Sequence, residues 1–231
     1  MQRIVVTIDG PSGSGKTTCA RELARRLGFA FLDTGAMYRA ATLEALRKGV
    51  DFLDEEGVAS CAQKMRLALV ADGRGGLEVI LDGEDVTERI RAEDISASAR
   101  FVAANSKVRE HLVQLQRRFG ASRNIVTEGR DQGTVAFPRA LIKFYLDASL
   151  EERVKRRFME LIAQGEKVET RELEKRMEAR DQSDRERPVG ALTRSDDMVY
   201  LDTTDLSIDE TVDLMEAYVS KALQALDTRE G

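Results

Sequence analysis

The stretch Gly10-Pro11-Ser12-Gly13-Ser14-Gly15-Lys16-Thr17 follows the apolar run 3–9 (RIVVTID) and leads directly into a helical pattern over 16–27. It fits GxxxxGK[ST] with both flanks that the pattern needs, a strand before and a helix after. Glycines let the backbone curl until its N–H groups converge on phosphate oxygens, and the helix N-terminus behind them favours an anion. Lys16 can then reach the β- and γ-phosphates, and the Thr17 hydroxyl can ligate Mg²⁺. Gly10, Pro11, Ser12, Gly13, Ser14, Gly15, Lys16, Thr17 and Thr18 are the expected residues of a nucleoside triphosphate site.

Outward from this loop, short apolar runs alternate with helical periodicity. Runs 29–32, 124–127, 141–147 and 198–202 read as buried strands; 36–48, 107–119, 149–164, 170–186 and 207–226 read as helices. This alternation predicts an α/β fold, a central parallel sheet flanked by helices. Ser149 and Glu152 form an expected capping box, and Gly165 is placed to end that helix. Residues 65–90 break the rhythm: two short apolar strands, a Gly-rich turn and an Asp-Gly turn predict an inserted antiparallel meander. The expected organisation is one domain over 1–231, with a core at 1–50, an insertion at 51–95 and the remaining core at 96–231.

Composition narrows the function. The 231 residues carry 36 Lys+Arg against 41 Asp+Glu, a formal charge of −5, so no summed positive field draws the chain to nucleic acid or anionic lipid. The basic set is 27 Arg and 9 Lys, and the Arg fork suits phosphate and carboxylate oxygens, so any basic function is local. Cys19 and Cys61 form no disulfide framework and read as buried hydrophobes. His111 is the only histidine, which excludes a His-rich metal cluster, and its charged helical surroundings predict a solvent-facing side chain. The apolar runs are too short for a membrane span and the N-terminus lacks a signal-peptide core, so a cytoplasmic location is expected.

A GTPase, a mechanical or nucleic-acid-bound ATPase and a small-molecule kinase all use such a loop. No NKxD motif is present, and an acidic chain of this length does not suit a polymer-bound motor. A kinase needs a second anionic pocket, for which three groups offer residues: Thr34 with Arg39, Glu128-Gly129-Arg130-Asp131 after the strand 124–127, and Arg180, Asp184 and Arg187 on one helix face before Pro188. Each group alone reads as a surface ion-pair network. Three beside a phosphate loop favour the kinase.

These residues resemble bacterial cytidylate kinases, of the nucleoside monophosphate kinase group of P-loop proteins. The resemblance spans nearly the whole chain, through IDGPSGSGKTT, LDTGAMYRA, VREHLVQLQR, EGRDQGTVAFP, FYLDAS, RDQSDRER and YLDTT. It implies transfer of the ATP γ-phosphate, with Mg²⁺, to CMP or dCMP in pyrimidine nucleotide metabolism. It also implies a β-containing monophosphate-binding insertion, matched by the meander, a helical lid at about 153–167 and a monomer. By position, Thr34 matches a small hydroxyl residue near the acceptor, Arg39 and Arg130 match monophosphate-binding arginines, Arg109 and Asp131 match cytosine contacts, and Arg180, Asp184 and Arg187 match the group near sugar, base and phosphate. Arg153, Arg156 and Arg157 stand where lid arginines fold over ATP; Lys16, Arg130, Asp131, Arg153 and Arg157 form the expected catalytic set.

Two departures stand out. Arg100 replaces the family's cytosine-contacting serine; a guanidinium only donates, whereas the cytosine amine needs an acceptor, so relaxed acceptance of UMP is an alternative. Ser96 and Ser98 are candidate substitute hydroxyls. Gly190-Ala191-Leu192 lacks the family's usual proline, and no role is assigned to it. The opposing non-enzyme reading is a P-loop protein that holds nucleotide as a structural or regulatory ligand.

Overall fold

In a computed structural model, which describes residues 3–71, 76–163 and 165–230, the run after Arg3 becomes β1 (Val5–Asp9), and the phosphate loop leads into α1 (Lys16–Leu27). There follow β2 (Ala30–Asp33), α2 (Thr34–Arg47), α3 (Glu55–Lys64), β3 (Leu67–Ala71), β4 (Leu77–Leu81), β5 (Glu84–Asp85) and α4 (Glu93–Ala104). The chain continues as α5 (Ser106–Ser122), β6 (Ile125–Gly129), β7 (Ile142–Asp147), α6 (Leu150–Ala163), α7 (Thr170–Glu186), β8 (Val199–Asp202) and α8 (Ile208–Glu230).

Among the described residues the main sheet runs β2-β6-β1-β7-β8, parallel throughout. Its central strands are apolar on both sides because helices cover both faces. Val6, Ile8 and Val126 pack with Leu23 of α1 and Met215 of α8, while Ile125 faces Met37 of α2 and Leu112 of α5. The expected parallel core is therefore present.

Register matters most for function. Asp9 lies opposite Gly129, and Asp33 opposite Glu128, so β1, β6 and β2 end level with one another. Neighbouring strands are roughly 4.8 Å apart. The chain thus leaves the sheet at Gly10, Thr34 and Arg130 along one carboxyl edge.

The meander is a second, antiparallel sheet, β3-β4-β5. Asp82 and Gly83 both have positive φ, 52° and 94°, which fits the tight I′ hairpin that an Asp-Gly pair predicts. Of the expected Gly-rich turn, residues 72–75 lie outside the described residues, as does Gln164 of the expected lid.

Local chemistry shifts several boundaries. No helix was expected at 55–64, yet Asp54 accepts from the Gly57 N–H at 3.0 Å and starts α3 there. Asp33 accepts from Ala36 N–H at 2.8 Å, so α2 begins two residues before the expected 36. The capping box is half formed: Ser149 Oγ accepts from Glu152 N–H at 3.3 Å, but the Ser149 N–H donates to Thr204 Oγ1 and the Glu152 carboxylate turns to Lys155 and Arg156. Nearby basic side chains outcompete one backbone amide for that carboxylate. Gly165 does end α6, donating to Ile162 O while Glu166 donates to Leu161 O. His111 is half-buried rather than solvent-facing, and burial followed by the charge of Arg118 lowers its pKa. Both cysteines are free and buried.

Candidate active site

The phosphate loop is built as its sequence requires. Gly10, Gly13 and Gly15 all have positive φ, and a Cβ at Gly10 would run into the Leu146 carbonyl. Lys16 Nζ is curled over the loop, donating to Pro11 O at 2.5 Å and Ser14 Oγ at 3.4 Å. Burial and then repulsion from Arg130 push this ammonium down to about 7, against the pull of Glu128 and Asp184. Thr18 is exposed on the first turn of α1.

Thr17 Oγ1 donates to Glu128 Oε1 at 3.1 Å. Burial and the neighbouring Asp33 raise the Glu128 carboxyl above the usual carboxylate range. A hydroxyl beside a carboxylate is a hard-oxygen pair that fits Mg²⁺, a cation that keeps several waters and borrows phosphate oxygens. Among the described residues no cluster of three or more His, Cys, Asp or Glu forms a fuller metal cage.

The acceptor candidates gather on the same edge. Arg130 Nε bonds Asp184 Oδ2 at 2.6 Å, and Arg187 Nη2 takes the other oxygen of that carboxylate. Burial would raise Asp184, but the two guanidinium groups outweigh it and hold its carboxyl below the usual range. Arg39 pairs with Asp33 at 3.2 Å, and Thr34 Oγ1 donates to Glu128 O at 2.7 Å. Arg180 has no carboxylate partner among the described residues. Its side chain is exposed at the mouth of this arginine group, yet desolvation by the surrounding protein and then Arg130 pull it down to about 10, with Arg39 and Arg157 adding to the effect. Among the described residues Arg180 is left without a counter-charge beside the paired Arg39, Arg130 and Arg187, and convergent guanidinium charge of this kind suits an anion.

Beside it, Arg109 and Asp131 form a buried ion pair, and the Arg109 guanidinium lies 5.6 Å from the centre of the Tyr38 ring. The Tyr38 hydroxyl, Arg39 Nε and Arg109 Nε are buried donors without protein partners among the described residues. Burial pushes Tyr38 up to about 12, so its hydroxyl keeps its proton at neutral pH. Gly190 (φ 68°) packs against the Arg109–Asp131 pair. Tyr38 and Gly190 had no role assigned from the sequence; the signals available for finding them were an aromatic next to Arg39 and a glycine beside the position where the family's proline is missing.

The lid arginines divide. Arg153 is locked between the phosphate loop and α7, donating to Ser12 O at 3.1 Å and pairing with buried Asp181 at 2.7 Å. Arg156 holds Thr203 through its carbonyl at 2.6 Å and its hydroxyl at 3.1 Å. Arg157 reaches Glu160 at 3.0 Å and Glu93 of α4 at 3.7 Å, and its charge acts on Arg180. Arg100 stays apart from the cluster: it is exposed, its guanidinium 4.7 Å over the Phe101 ring, while Ile95, Ala99 and Val102 face inward. Ser96 and Ser98 are half-buried.

Comparison with known proteins agrees with this arrangement. The family described as cytidylate kinase matches residues 6–221. A cytidylate kinase of Pelotomaculum thermopropionicum is 44% identical over 215 residues, covering 93% of this chain and 95% of that protein. One from Vibrio vulnificus is 43% identical over 222 residues, covering 96% and 98%. Among solved structures, a gluconokinase from Sinorhizobium meliloti superposes with a TM-score of 0.51 at 14% identity, covering 99% of this chain and 98% of its own, a likeness of fold alone. Among the described residues no helix is long and apolar enough to cross a membrane. With a phosphate loop and a group of arginines sharing one sheet edge, and relatives matched nearly end to end, the chain belongs to the cytidylate kinase family of P-loop phosphotransferases.

Proposed function

We propose that the protein transfers the γ-phosphate of ATP to CMP or dCMP, giving ADP and CDP or dCDP. The observation that carries this reading is the register of β1 on β6, Asp9 opposite Gly129, which sets the phosphate loop beside Arg130. Donor and acceptor anions then meet above two adjacent strands.

The chemistry needs alignment more than proton transfer. The acceptor phosphate is already anionic near neutral pH, so no general base is required; two repelling anions must be brought in line and their charge neutralised. Lys16 swings from Pro11 O to the donor phosphates, while Arg39, Arg130 and Arg180 take the acceptor phosphate, with Thr34 beside it. Asp184 holds Arg130 and Arg187 in place. Arg109, Asp131 and Tyr38 offer the donors and the acceptor that a cytosine edge and ribose require. Thr17 and Glu128 would hold Mg²⁺, which neutralises charge on the β- and γ-phosphates when bound. Arg157, on the α6–α7 hairpin, serves in a lid that excludes water, while Arg153, clamped between Ser12 O and Asp181, braces that hairpin against the phosphate loop.

The division into core 1–50, acceptor-binding insertion 51–95 and remaining core 96–231 with a lid at about 153–167 belongs to this proposal, supported by the separate sheet β3-β4-β5. So do a monomeric, cytoplasmic enzyme and the absence of nucleic-acid or membrane partners. Arg100, stacked on Phe101, lends no support to altered base preference. A coupled assay tests the reading: ADP formation from ATP and Mg²⁺ depends on an added nucleoside monophosphate, with CMP and dCMP giving the highest kcat/KM and UMP and AMP lower values. No dependence on any nucleoside monophosphate would overturn it.

A further inference from the structure

β1 ends in a carboxylate that the chemistry above leaves unused. Asp9 is fully buried, and its two oxygens accept from the Gln132 N–H at 2.8 Å and the Gly133 N–H at 2.7 Å. Those amides open the single π-helical turn Gln132–Ala136, which starts directly after Arg130 and Asp131. Burial pushes the Asp9 carboxyl up to about 7 even though the two amides oppose that shift. A buried carboxylate of this kind is retained at a cost in desolvation.

The same turn is held from its other side. Gln132 Oε1 accepts from Thr127 Oγ1 at 3.0 Å, and Gln132 Nε2 donates to Gln116 Oε1 at 3.3 Å. A Cβ at Gly133 would lie 2.9 Å from both Thr7 Oγ1 and Met198 Cε. The chain after Asp131 therefore has one seat. Asp9 is also the last residue before the phosphate loop, and its charge acts on both Lys16 and Asp131. One side chain touches the frame of both halves of the site.

We propose that Asp9 is a positioning residue for phosphoryl transfer: its carboxylate ties the acceptor loop, through the Gln132 and Gly133 amides, to the strand that carries the phosphate loop. Arg130 and Asp131 are thereby set at a fixed offset from the donor. This rests on the phosphotransfer reading, and the wild-type assay with CMP tests that reading first. Failure there removes the function; failure below removes only the role of Asp9.

The test is Asp9→Asn in the full chain. Asn has nearly the same shape, but its amide nitrogen cannot accept, so one of the two N–H groups loses its partner. Because Gly10 is the next residue, a general loosening of β1 weakens ATP binding at least as much as acceptor binding. Positioning through Gln132 and Gly133 does the opposite: KM for CMP rises at least about tenfold and kcat falls by a similar factor, since misplacement near 1 Å costs up to about a hundredfold. The dissociation constant for ATP without acceptor, read by calorimetry, stays within about twofold on the same reasoning. In an Arg130→Ala background the further loss in kcat/KM shrinks below about threefold, because the two changes share one path. Gly133→Ala crowds the seat from the loop side, against Thr7 Oγ1 and Met198 Cε, while leaving the Asp9 carboxylate itself unchanged; it reproduces the split and stands in if Asp9→Asn does not fold. Equal weakening toward ATP and CMP, or a lowered Tm with unchanged kinetics, would overturn the proposal.

Discussion

Gly190→Ala isolates the contribution of one backbone position to acceptor binding. Gly190 has φ 68°, and a Cβ there would fall 2.5 Å from Arg109 Cζ and 2.5 Å from Asp131 Oδ2. Two costs follow. The left-handed conformation costs about 1–2 kcal/mol for a residue with a Cβ. The methyl group must also displace a buried ion pair, whose complete rupture costs about 3–5 kcal/mol. Pro188 and Val189 are exposed, so the segment can move outward and relieve part of the clash. A net stability loss of about 2–3 kcal/mol is expected, lowering Tm by about 4–12 °C for a chain of this size. The ion pair shifts in the process, and KM for CMP rises about tenfold or more, which corresponds to at least about 1.4 kcal/mol of lost binding, while KM for ATP holds. Gly28→Ala is the control: φ is 66° and nothing lies within 4 Å of its Cβ position, so it pays only the conformational cost and leaves both KM values alone. If Gly190→Ala lowers Tm no more than Gly28→Ala and keeps its KM for CMP, the inferred contact between Gly190 and the base-recognition pair is wrong.

Other expectations follow from the same geometry. Arg130→Ala lowers phosphoryl transfer to CMP by at least about a hundredfold, roughly 2.7 kcal/mol in the barrier, with the fold intact by circular dichroism; near-normal steady-state kinetics would remove Arg130 from the site. Lys16 sits at about 7 in the ligand-free protein, and triphosphate oxygens return it toward its ordinary value. A base lowered in the free state takes up a proton on binding, so ATP affinity declines as pH rises above about 7, with net proton uptake accompanying ATP binding there. Calorimetry in buffers of different ionisation enthalpy reads this uptake, and its persistence in Lys16→Met would assign it elsewhere. Arg153→Ala strips buried Asp181 of its ion-pair partner, and breaking a buried pair in this way costs about 3–5 kcal/mol; thermal unfolding that stays within about 2 °C of wild type would contradict the buried pairing. Arg100→Ala leaves the CMP-to-UMP ratio of kcat/KM within about threefold, the limit of what a distant exposed charge contributes; collapse or sharpening of that ratio would return Arg100 to the site.

What the sequence determined by itself is what depends on neighbours along the chain. Helix and strand periodicity, the Gly-rich curl before Lys16 and the Asp-Gly hairpin are local, and each leaves a pattern within a few residues. The phosphate-loop pattern was legible for that reason, and so were most residues of the candidate acceptor group. Their partners were not. Arg130 meets Asp184 across 54 residues and Arg109 meets Asp131 across 22, pairings that exist because β6 lies between β2 and β1 in the sheet. Sheet order also decided that Asp9 accepts from the Gln132 and Gly133 amides, that Gly190 packs on the Arg109–Asp131 pair, and that Arg153 is clamped to the phosphate loop. Arg100 shows the reverse case: alignment brought it into the site, but helix phase turned it outward, because Ile95, Ala99 and Val102 claim the buried face of α4. Burial and charge pairing are properties of the space between elements, and only the packed molecule fills that space in one way.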